Sequence, residues 1–194
     1  MLISKFGAAD IKEMLEAYED IIGEKLPDQI RRFIEKYNGG ETPNTQFKCG
    51  DVSSDLKAFY GLGKVKYSFD EVRPVEVKGI RYLPFACDSF GNELGIDLSS
   101  GTVCFMDHEK DCITQMTNDF CSFIGICESK AVNPSSIKTV EEREAELVER
   151  GRGGIITDAL RNMWRAEIEK YSAIKQEEVI ITASIEKERP LTMP

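Results

Sequence analysis

Between Glu93 and Asp107 the sequence ELGIDLSSGTVCFMD alternates so regularly that few folds accommodate it. Leu94, Ile96 and Leu98 fall on one side of an extended chain, and Glu93, Gly95 and Asp97 on the other. Ser99-Ser100-Gly101 is turn chemistry and TVCFMD resumes the strand, so the stretch predicts a β-hairpin with one buried face. The preceding IRYLPFACD is a further strand, and Pro84 inside it predicts an edge or a bulge. Another short strand is expected near Cys112-Ile113.

The N-terminal period is different. Ile11, Met14, Leu15, Tyr18 and Ile22 form one apolar stripe, predicting a helix over residues 8–22 that Gly23 ends. In LPDQIRRFIEKYNGG, Pro27 suits a first helical position, and Ile30, Phe33, Ile34 and Tyr37 recur at helical spacing. Asn38-Gly39-Gly40 stops this second helix with residues that tolerate positive φ, and Tyr37 is expected to pack beneath the reversal. GGETPNTQFKCGDVSS reads as a loop with one short strand near Phe47. SSDLKAFYGLG reads as a short helix or turn packing Leu56, Phe59 and Tyr60, and KVKYSF as extended chain. TNDFCSFIGIC returns to helical spacing through Phe120, Phe123, Ile124 and Cys127, with Thr117 or Asn118 as N-cap.

After Lys130, AVNPSS has the composition of a linker. TVEEREAELVER opens with a capping box from Thr139 to Glu142, GRGG breaks it, and TDALRNMWRAEIEKY sets Leu160, Met163, Trp164, Ile168 and Tyr171 on one side of a helix. EVIITASI is strand-like, and the final EKERPLTMP is expected to fray. Two units result: an α+β domain over residues 1–131, its mainly antiparallel sheet packed against helices, and an extension over 132–194, helical with a short strand.

The 194 residues are 41% hydrophobic, enough for one core with an appendage. A net charge of −9 disfavours contact with a phosphate backbone and suits a basic protein partner. No apolar run reaches the ~18 residues of a membrane span, and the N-terminus lacks the apolar core of a signal peptide. Six cysteines without a C-x-x-C pair fall inside apolar patterns, as small core residues do in the reducing cytoplasm.

Catalytic chemistry finds little support. His108 is the lone histidine, and Cys104 lies about 13 Å away along an extended strand. Asp107-His108-Glu109 lacks a zinc set, no calcium loop is present, and no cofactor is implied. GRGG has neither the preceding strand nor the lysine of a phosphate loop. What stands out is a group around the hairpin and its ends, Asp88, Asn92, Glu93, Asp107, Glu109 and Asp111, at loop and strand-end positions suited to contacting a partner.

Taken in order, LPDQIRRFIEKYNGGETP, YLPFACDSFGNELGIDLSSGTVCFMDHE and TNDFCSFIG resemble the SUKH superfamily, named partly for fungal regulators of the Smi/Knr type. The family pattern falls on Leu26 and Pro27, Tyr37, Asn38, Gly39 and Gly40, Pro84, Phe85 and Ala86, Gly91 and Asn92, Asp97 to Gly101, and Asp107, His108 and Glu109. CDSFGNE replaces a more glycine-rich run, and Met106 stands where an aromatic is common. The resemblance stops near residue 131. It implies an α+β domain doing non-catalytic work, in many bacterial members as a cytoplasmic immunity protein against a toxin. Such toxins are often basic nucleases; the fungal members imply instead a regulatory or scaffold adaptor. The resemblance leaves the partner's identity and the oligomeric state open.

Overall fold

The computed structural model describes residues 1–110 and 112–181. In chain order these form β1 (Leu2–Lys5), α1 (Ile11–Ile22), α2 (Asp28–Tyr37), β2 (Gly40–Cys49), β3 (Val52–Phe59), β4 (Val75–Val77), β5 (Ile80–Cys87), β6 (Glu93–Asp97), β7 (Val103–Asp107), β8 (Cys112–Thr117), α3 (Phe120–Ile126), β9 (Cys127–Ser129), α4 (Val140–Glu149), α5 (Asp158–Ser172) and β10 (Glu177–Glu178). The strands pair antiparallel in the order β10-β1-β2-β3-β5-β6-β7-β8, with β4 beside β5 and β9 beside β2. The chain is thus α+β.

The two N-terminal helices bury their apolar stripes against the sheet. Ile11, Leu15, Tyr18 and Ile22 of α1 and Ile30, Phe33, Ile34 and Tyr37 of α2 join one core with Leu83, Leu94, Ile96 and Val103 of the strands. Phe33, Phe59, Phe85 and Phe120 form its aromatic centre; Phe33 meets Phe59 at 4.7 Å and Phe120 at 5.2 Å between ring centroids. Offset and edge contacts of this kind add stability beyond area burial.

Pro84 sits at a bulge. Strand β5 lies inside the sheet between β3 and β6, and its register shifts between Pro84 and Ala86. The extra residue, Phe85, joins the aromatic centre, where Phe120 lies 5.2 Å away. The β6–β7 turn is held by Asp97, which accepts the Ser99 N–H at 3.0 Å and the Ser100 hydroxyl at 2.7 Å. Gly101 closes it at φ +78°.

Several expectations are corrected. Pro27 is the N-cap of α2, not its first helical residue: its φ and ψ are −54° and 138°, and its carbonyl accepts the Ile30 and Arg31 N–H groups. The stretch expected as loop and short helix is the long β2–β3 hairpin, running from Gly40 to Phe59. Its buried positions mix Thr42 and Thr45 with Gly40, Phe47, Leu56, Ala58 and Phe59. The bulge between Glu41 and Thr45 breaks the two-residue period, and threonine, which packs on a sheet much as valine does, disguises two buried positions as polar. KVKYSF is not a strand; it bends back so that Gly61 bridges Ser68. Strands β1 and β4 were not foreseen. Asp119, not Thr117 or Asn118, caps α3, accepting the Ser122 N–H at 2.7 Å.

The capping box of α4 is present, from Thr139 to Glu142. On α5 only Trp164 of the expected stripe is buried, and Met163 is exposed. Strand β10 pairs with β1 and sets Val179 into the core. The frayed end expected for EKERPLTMP lies outside the described residues. Cys104 and Cys127 are buried, the other four cysteines are half-buried, and all are free thiols. Among the described residues no helix is long and apolar enough to cross a membrane.

Candidate functional site

The turn between β2 and β3, the β5–β6 loop at residues 88–92 and the β7–β8 turn meet at one end of the sheet. They border a groove of about 450 Å³ lined by Asp51, Ser53, Phe90, Asn92, His108 and Glu109, among others. Asp88 holds the middle loop from inside. It is 2% exposed. One carboxylate oxygen accepts the N–H groups of Phe90 and Asn92, each at 2.8 Å. The other accepts the Ser54 hydroxyl at 2.8 Å and the Asn92 amide at 2.7 Å. From the neighbouring strand, Asp55 accepts the Ser89 N–H at 2.9 Å. Gly91 reverses the chain at φ +95°, a conformation that glycine adopts without strain.

Asn92 ties this loop to the next turn. Its Oδ1 accepts the His108 N–H at 3.2 Å and lies 2.8 Å from His108 Nδ1. An amide oxygen can only accept, so this contact places the ring proton on Nδ1. Asp107 accepts the N–H groups of Glu109 and Lys110 at 3.1 Å each and pairs with Lys110 Nζ at 2.7 Å. The Lys110 ammonium and these N–H groups hold the Asp107 carboxyl below its ordinary value.

Of the six residues singled out for partner contact, the fold brings Asn92, Asp107 and Glu109 to the groove, with Asp88 buried behind it. Glu93 lies outside the groove. Its half-buried carboxylate accepts the Tyr60 hydroxyl at 3.3 Å, and burial raises its pKa. Beside it the hydroxyl of Tyr82, 1% exposed, has no hydrogen-bond partner among the described residues. Asp111 lies outside the described residues. Two residues of this end escaped the sequence reading. Phe90 is 69% exposed at the loop tip, and Asp51 is exposed in the β2–β3 turn. An aromatic inside the polar run DSFGN was the available signal.

Among the described residues His108 hydrogen-bonds to no thiol or hydroxyl, and no group of three potential ligands gathers for a metal. A second groove of about 610 Å³ runs between the β2 bulge and the end of α5, lined by Glu41, Asp55, Lys57, Lys66, Tyr67 and Tyr171, among others.

An antiparallel sheet covered by helices on its apolar face, with a strapped loop end and an Asn-Gly-Gly helix stop, defines an α+β domain. The chain belongs to the SMI1 / KNR4 family (SUKH-1), whose model matches residues 12–125. It is also 25% identical, over 128 residues, to the SPbeta prophage-derived uncharacterized protein YokK of Bacillus subtilis (strain 168). That match covers 54% of this chain and 66% of the relative, so the chain spans just under two thirds of the relative's length. No solved structure matches significantly. Domains of this family are generally non-catalytic, with immunity or regulatory roles and protein partners.

Proposed function

We propose that this chain is a cytoplasmic immunity protein that neutralises a toxin by binding it, with no cofactor, metal, membrane or nucleic acid taking part. The observation that carries the reading is the way the loop end spends its polar groups on itself. Asp88, Asn92 and Asp107 use their oxygens to fix backbone N–H groups and so hold the shape of this surface, and among the described residues His108 hydrogen-bonds to no thiol or hydroxyl to activate. Family membership supplies the class, immunity or regulation. The net charge of −9 favours a basic toxin such as a nuclease, because opposite charge speeds encounter and excludes acidic competitors. In this reading residues 1–131 are the binding body and 132–194 an extension.

The test is capture of partners on the tagged full chain at low and high salt, identification by mass spectrometry, and co-expression of the captured toxin domain with and without the chain. One basic domain should be captured, less as salt rises, and cells should survive its expression only when the chain is present. Capture of unrelated cytoplasmic proteins through residues 132–194, without rescue, would replace this reading by a regulatory adaptor.

A further inference from the structure

We propose that Phe90 is the anchor of the docking surface, and that its occupant is a basic protein face offering a phenyl-sized recess bordered by lysine or arginine. The inference deepens the toxin-binding reading and rests on it. Phe90 is the most exposed large apolar side chain among the described residues, at 69%. Hydrogen bonds hold the loop that carries it in this outward conformation. The N–H of Phe90 is bound to Asp88, that of Ser89 to Asp55 and that of Asn92 to Asp88 again, while Asn92 is locked to His108. A ring held out on a preordered loop has met most of its ordering cost before the partner arrives, the condition under which an aromatic becomes a dominant contact.

The charges around it select the occupant. Asp51 and Glu109 stand exposed on the turns that flank the groove, and neither forms an ion pair among the described residues. The lysine of the β7–β8 turn, Lys110, is already paired with Asp107 at 2.7 Å. A cationic rim on the partner would meet both carboxylates and the face of the Phe90 ring at once. In this arrangement Asp88, Asn92 and Asp107 position the loops, and Phe90, Asp51 and Glu109 make the contacts.

The experiment places a photo-crosslinking phenylalanine analogue at position 90 of the full chain, and in a control at position 21, where Ile21 is 61% exposed on α1. Both are irradiated in the native host and the adducts identified. The proposal expects one basic protein joined at position 90, not at 21, with yield falling at least about tenfold in Asp51→Lys/Glu109→Lys. Phe90→Ala should weaken capture of the same protein at least about 30-fold while leaving the melting temperature unchanged. Adducts at 21 alone, yields indifferent to charge reversal, or full affinity in Phe90→Ala would overturn the anchor while the toxin-binding reading stands. If the unmodified chain captures no toxin, that reading fails and the anchor falls with it.

Discussion

Glu19 and Glu93 are carboxylates withdrawn from water, and the fold treats them in opposite ways. Glu19, on α1, is 1% exposed. Burial alone would raise its pKa, but the Arg31 guanidinium, the Lys25 ammonium at 2.9 Å and the Leu26 N–H at 2.9 Å outweigh burial and lower it. A lowered folded pKa contributes stability that is present above the ordinary carboxylate range and lost as pH falls through the folded value. Glu19→Gln should therefore cost about 2–3 kcal/mol at neutral pH in urea denaturation, with the gap to the parent closing in acid. Glu93 has the reverse sign. Burial raises its pKa and the Tyr60 hydroxyl only partly offsets this, so the fold favours the protonated form. Its contribution is intact below the ordinary carboxylate range and is lost as pH rises through the raised value. Glu93→Gln keeps an acceptor for Tyr60 and removes the charge. It should stabilise the chain at neutral pH by on the order of half a kcal/mol, small because the group is partly solvated, and give no gain in acid.

The end of α2 shows why an aromatic and an amide precede two glycines. Asn38 takes the left-handed conformation at φ 52° and is buried; its amide donates to the carbonyls of Gly7 at 3.2 Å and Leu62 at 3.0 Å, and its oxygen accepts the Leu62 N–H at 2.7 Å. Gly39 follows at φ 69°, where a Cβ would lie 2.5 Å from the Tyr60 carbonyl oxygen. Gly40 starts β2 so close to β1 that a Cβ would lie 2.5 Å from the Ser4 oxygen. The junction joins β1, α2 and the loop after β3. Gly39→Ala should cost about 3 kcal/mol or more, combining the positive φ with a backbone clash, and Asn38→Ala about 2–3 kcal/mol, both read as shifts of the urea midpoint at constant slope. Elements whose period was carried by large apolar residues, α1, α2, α3 and the β6–β7 hairpin, were legible in the sequence. The β2–β3 hairpin was not, because the bulge between Glu41 and Thr45 breaks its two-residue period and two of its buried positions are the polar Thr42 and Thr45, and β1 is too short for a period to show. At the candidate site, residue type pointed to the loop end of the sheet but could not separate a carboxylate that straps a loop, such as Asp88, from one left exposed without an ion pair among the described residues, such as Glu109. That difference lies in which N–H groups the folded backbone brings within reach.

At the scale of the whole molecule, the family match ends at residue 125, yet the sheet continues beyond it. Strand β10 lies on β1, Val179 enters the core, and the Tyr37 hydroxyl donates to the Glu178 carbonyl at 3.3 Å while accepting the Ile180 N–H at 2.9 Å. A tyrosine inside the family match thus spends its polar end on the extension, and Lys5 adds an ion pair to Glu177 at 2.8 Å. The coupling can be measured against a chain ending at Ile181. Ending instead at Lys175 removes the Val179 burial and both partners of the Tyr37 hydroxyl, and should cost about 3–4 kcal/mol. Tyr37→Phe in the longer chain loses two hydrogen bonds but leaves the ring packed, costing about 1–2 kcal/mol. In the shorter chain the hydroxyl has lost both partners, so the same substitution should be neutral or stabilising. The two changes must then be less than additive by about 1 kcal/mol or more in a double-mutant cycle of urea midpoints. Strict additivity would mean that the extension and the α2 junction are stabilised independently, and that the strand on β1 adds only its own burial.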